Sequence, residues 1–116
     1  MDENRTRRVS EAVREELAEI IGFEMDDPRL ENVDVTMVDV APDMRNAHVK
    51  VSVDTDMTKK ALQALDHAKN FLKLELASRL NMRRVPDLHF SVDSHPDADM
   101  RVEFLLRRAK RNQARD

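Results

Sequence analysis

No cysteine occurs anywhere in the chain, which removes disulfide frameworks, thiolate zinc sites and cysteine nucleophiles together. Stability must then come from packing, and 116 residues suffice, since a chain of this length buries roughly two-thirds of the surface its unfolded form exposes. The same absence fits a reducing compartment, so the expected location is cytoplasmic. Glycine appears once, at Gly22, too few for a phosphate-binding loop or a dinucleotide fingerprint. Tryptophan and tyrosine are missing and only four phenylalanines are present, which argues against recognition of nucleic acid by base stacking. No apolar run approaches the roughly eighteen residues of a membrane span, and MDENRTRRVSEAVREE has no apolar stretch behind its basic residues. Neither a membrane partner nor a secretory leader is expected.

Charge is abundant, at 37% of residues, but 41% apolar content arranged periodically points to a packed core rather than disorder. The net charge of −3 hides a strong segregation. Residues 24–57 carry nine acidic and three basic side chains, residues 58–84 seven basic and two acidic, and residues 101–116 six basic and two acidic. A polyanion is steered to one face by this kind of asymmetry, whatever the average.

Val9, Val13, Leu17, Ile20 and Ile21 recur at helical spacing from Arg5 to about Phe23, and Gly22 with Asp27-Pro28 ends that helix. The run V-D-V-T-M-V-D-V over Val33 to Val40 reads as an alternating strand. After Pro42-Asp43-Met44-Arg45-Asn46 a second follows with Ala47, Val49, Val51 and Val53, so the two form a hairpin with an exposed loop. Thr58 is placed to cap a long helix with the apolar line Ala61, Leu65, Ala68, Leu72, Leu76, Leu80. Pro86 introduces a third strand through Leu88, Phe90 and Val92, and Met100, Val102, Leu105, Leu106 and Ala109 can line a short C-terminal helix. The expected fold is α+β, a three-stranded sheet covered by helices on one face. It forms a single domain over residues 1–108, and residues 109–116 form a basic tail.

Lys59, Lys60, Lys69, Lys73, Arg79, Arg83 and Arg84 lie along or just after the long helix, off its apolar line. A solvated helix face normally intersperses both signs, so this lopsided set points to phosphate contact, most of all at Arg83-Arg84. Arg5, Arg7 and Arg8 crowd the start of the first helix, where positive charge opposes the dipole and suggests an external partner; Arg107, Arg108, Lys110 and Arg111 suit the end of their own helix. Asp93-Ser94-His95-Pro96-Asp97-Ala98-Asp99 reads as a turn with capping acids rather than a metal site. His48, His67 and His89 stand singly, with no triad partner, so neither catalysis nor a cofactor is expected.

The order of these elements, with R-R-V-S-E-A-V-R-E-E-L-A-E-I-I, the D-P-R-L turn, P-D-M-R-N-A-H-V-K-V-S-V and R-R-V-P-D-L-H-F-S-V-D-S, resembles the ribosome-binding factor A family from Arg7 to about Leu106. The resemblance implies a type II KH fold and binding to the 16S rRNA of the free 30S subunit. It also implies a non-enzymatic role in late rRNA maturation, notably in the cold. It implies further that an Ala-x-Gly kink stands where other KH domains carry a glycine-rich loop. The matching positions are Ala68, Lys69 and Asn70. Asparagine tolerates left-handed backbone, so a kink with Asn70 off helical angles is expected, a straight helix being the alternative. The expected RNA-binding set is therefore Arg7, Arg8, Lys59, Lys60, Ala68, Lys69, Asn70, Lys73, Arg79, Arg83 and Arg84, on a monomer with no small-molecule substrate. The competing reading is a protein-interaction module that uses the hairpin edge, with no direct RNA role.

Overall fold

The computed structural model describes residues 3–93. The C-terminal helix expected from Met100 onward, the turn after Asp93 and the basic tail lie outside them. Helix α1 (Glu3–Glu19) leads without a break into one π-helical turn, Ile20–Glu24. Gly22 therefore does not stop the helix: the turn closes with the Met25 amide donating to the Ile20 carbonyl at 2.9 Å. Ile20 and Ile21, three and four residues beyond Leu17 and so on the same helical stripe, are both buried in the core. Asp27 then caps a short 3-10 turn, Pro28–Leu30, accepting from the Arg29 amide at 2.9 Å.

Strand β1 (Asp34–Val40) and strand β2 (Asn46–Ser52) pair antiparallel. The alternation expected along β1 fails at its middle. A bulge falls between Val35 and Met37, resetting the phase so that Val33 and Val35 before it and Val38 and Val40 after it are all buried, while Met37 is half exposed. Thr36, the extra residue, donates its hydroxyl to the Lys50 carbonyl at 3.1 Å. The hairpin loop turns through Met44, at φ 62°, with its amide on the Ala41 carbonyl and the Arg45 amide on Asp43 Oδ1.

The long helix is two helices, α2 (Thr58–His67) and α3 (Lys69–Arg79). Thr58 does not cap α2; it is the first helical residue, after a 3-10 turn over Thr55–Met57. Strand β3 (Asp87–Val92) pairs parallel to β2, giving the order β1-β2-β3. The helices cover one sheet face: α1 packs chiefly on β1, α2 on β3, and α3 touches both α1 and β3. Val13, Leu17, Leu65, Leu72 and Leu76 meet Val49, Val51 and Leu88 there, all essentially without solvent contact. The opposite sheet face is open to solvent and carries His48, Lys50, His89 and Ser91.

Candidate nucleic-acid interface

Ala68 separates α2 from α3 at φ −89°, ψ 0°. That bridge conformation is open to any L-residue, and it interrupts the helix without disconnecting it: the Ala68 amide still donates to the Ala64 and Leu65 carbonyls, and the Leu72 amide to the Ala68 carbonyl at 2.9 Å. The interruption expected from Ala68-Lys69-Asn70 is thus present, but Asn70 lies inside α3 in helical conformation. Along this stretch the left-handed backbone falls instead at Asn81, at φ 52°, just past the end of α3. No glycine is needed at position 70, because the turn is made two residues earlier by a conformation with negative φ.

Beside the break, α2 and β3 border an open groove of about 420 Å³ lined by Lys59, Leu62, Gln63, Asp66, His67, Lys69 and Phe90. Lys59 and Lys60 are exposed on the first turn of α2, and no carboxylate among the described residues lies within ion-pair reach of either. Lys69 is partly spoken for, its Nζ 2.9 Å from Asp66 Oδ1, a pairing that holds the Asp66 carboxyl below its ordinary range.

Other members of the expected set separate. Lys73 reaches Asp87 Oδ1 at 2.7 Å, tying α3 to the start of β3 and lowering the Asp87 pKa. Arg79, expected at phosphate, points inward instead. Only a quarter exposed, it pairs with Glu16 at 3.4 Å, with Glu75 at 3.6 Å, and with Glu24 in the closest contact of the three. This cluster keeps the guanidinium firmly protonated and holds the Glu24 carboxyl below its usual range. Arg83 and Arg84 follow in the loop to β3, exposed, with no acidic partner among the described residues. Arg7 and Arg8 lie in the first turns of α1; Arg7 donates to Asn4 Oδ1 and lines a separate hollow against Met37 and Asp39 of β1. Since α1 packs over β1 and α2 over β3, the N-terminal arginines and the α2 lysines sit toward opposite edges of the sheet rather than on one patch.

Three features escaped the sequence reading. Arg45, counted with the acidic half, stands beside Arg84 in a second groove. Phe71 and Leu74 are exposed on α3. His48 and His89, read as isolated, face each other across β2 and β3 with ring centroids 5.4 Å apart, His89 Nε2 lying 2.8 Å from Asn46 Oδ1. Register predicts such a pair only once the parallel partner of β2 is known.

Among the described residues no three side chains cluster as metal ligands, and no helix is long and apolar enough to cross a membrane. The family model for ribosome-binding factor A matches residues 5–106. The ribosome-binding factor A of Solibacter usitatus is 57% identical over 118 residues, an alignment taking in all of this chain and 96% of that one. The crystal structure of ribosome-binding factor A from Thermus thermophilus superposes with a TM-score of 0.67 at 31% identity, covering 75% of this chain and 94% of that one. A Thermus thermophilus ribosome-binding factor A homology model, fitted into a cryo-EM map of a 30S complex, gives 0.61 at 28% identity and covers 84% of this chain and all of that one. The helix–break–helix, the parallel third strand and this agreement along the whole chain place it in the ribosome-binding factor A family.

Proposed function

We propose that the protein binds the 16S rRNA of the free small ribosomal subunit and assists its late maturation as a cytoplasmic, monomeric, non-enzymatic factor. The observation that carries this reading is the interruption at Ala68 beside a groove flanked by unpaired cations, on a chain of this family. Lys59, Lys60, Lys69, Asn70 and the Arg83-Arg84 loop supply the contacts, while Arg79 and Lys73 hold the scaffold. Binding by phosphate charge and backbone shape suits a surface poor in aromatics, and its energy favours one conformation of the maturing RNA over others.

Sedimentation of the tagged protein with purified small subunits tests it. Lys59→Glu combined with Lys60→Glu abolishes co-sedimentation and leaves the melting temperature unchanged, since exposed charges contribute little to folding. Undiminished co-sedimentation of that double variant would remove α2 from the interface.

A further inference from the structure

At the far end of α3 from the break, the hairpin loop, α3 and the approach to β3 enclose a second groove, of about 510 Å³. Its apolar lining is Met44, Leu74, Ala77 and Val85. Leu74 is 72% exposed, and Phe71, one turn earlier on the same helix, is 48% exposed. The opposite face of α3 buries Leu72 and Leu76 completely. Two large apolar side chains left exposed one turn apart, on a helix that already buries its other side, form a small apolar patch of the kind that is covered in use.

Charge defines what covers it. Arg45 and Arg84 flank the groove, and among the described residues no carboxylate lies within ion-pair reach of either guanidinium. The only acid in the lining, Asp87, is neutralised by Lys73 at 2.7 Å. Two unsatisfied arginines around an aliphatic floor differ from the lysines of α2: leucine neither stacks on a base nor bonds a phosphate, whereas arginine beside exposed apolar side chains is the composition of protein interfaces.

We propose that the groove between Met44-Arg45, Leu74 and Arg84-Val85 is a docking site for an amphipathic, acidic helical segment of a partner protein, adjoining the proposed RNA surface at Arg84 and distinct from it at Arg45, Leu74 and Ala77. The segment lays apolar side chains on Leu74, Ala77 and Val85 and sets carboxylates against Arg45 and Arg84, the helix-in-groove mode of recognition.

The test is an NMR titration of the ¹⁵N-labelled full chain with a short synthetic peptide of leucine and glutamate, leucines at helical spacing, and separately with a uridine oligonucleotide. The peptide shifts the amides of residues 44–45, 71–77 and 84–87 saturably. Leu74→Ser weakens it about tenfold, the loss expected when one buried aliphatic contact is removed. Arg45→Glu abolishes the effect, and lysine in place of every glutamate in the peptide does the same. Both variants alter exposed residues outside the proposed RNA surface, so an unchanged amide spectrum elsewhere shows they are folded. Peptide shifts insensitive to Leu74→Ser would reduce the contact to general attraction between charges and overturn the proposal. So would shifts confined to α2 and β3, or none at all. If the oligonucleotide moves the amides of residues 44–45 and 74–77, which lie outside the proposed RNA surface, and the peptide does not, the groove belongs to RNA.

Discussion

Arg79 carries a positive charge that the fold uses internally, between Glu16 of α1, Glu24 of the π-turn and Glu75 of its own helix. Without it, three carboxylates are left close together, so Arg79→Ala lowers the melting temperature at neutral pH and Arg79→Lys, lacking the planar fork, restores only part of it. The pH dependence has a definite sign. The folded state depresses the Glu24 pKa below its ordinary 4.5, so the stabilisation is complete above that value and is lost as pH falls through the lower folded one. The gap in melting temperature between wild type and Arg79→Ala therefore narrows when pH is taken from 7 to below about 4.5. A constant gap across that range would show that the arginine acts through packing alone. Nothing in the local sequence distinguishes Arg79 from Arg83 four positions on, because its partners come from residues more than fifty positions earlier as well as from its own helix.

Elements were legible where their periodicity is long and unbroken. The apolar line of α2 and α3, the strict alternation of Ala47, Val49 and Val51, and the short run after Pro86 each identify an element, because burial on one side leaves a repeating mark. Phase changes were harder to see. V-D-V-T-M-V-D-V contains two alternating triplets of opposite phase, and the bulge at Thr36 is what reconciles them. The break between α2 and α3 falls within the expected Ala68-Lys69-Asn70 segment, but its off-helical residue is Ala68 rather than Asn70, since the bridge conformation leaves no compositional trace of the kind a left-handed residue does. This difference is measurable. With Asn70 inside α3, helix propensity governs it: Asn70→Gly destabilises by a few tenths of a kcal/mol and Asn70→Ala stabilises by about 0.5 kcal/mol in urea unfolding. A stabilising glycine would restore the left-handed assignment.

Taken together, the described residues form two layers whose core is a seam between helices and sheet. Leu76, without solvent contact between α3 and the sheet, is part of that seam, and Leu76→Ala costs roughly 2–5 kcal/mol, a large share of the about 5–15 kcal/mol that holds a domain folded. Chemical denaturation with an unchanged m-value checks it. The charge segregation also acts at this scale. With Arg79 and Lys73 engaged internally, the cations near the break and the following loop with no acidic partner among the described residues are Lys59, Lys60, Arg83 and Arg84. On the proposed function, RNA affinity falls with salt at a log–log slope near −3, about −0.7 for each of four single-strand phosphate contacts, and Arg83→Glu with Arg84→Glu roughly halves it. A slope near zero would remove phosphate contact from the account. Finally, the parallel pairing of β2 with β3 bears on how the chain reaches this state. β2 is the central strand, yet one of its edges is closed only by the last strand described, after both intervening helices have been laid down. During synthesis the β1–β2 hairpin therefore emerges with Ala47 to Val51 open along one side, and it stays an adhesive edge until the chain has been released through Val92.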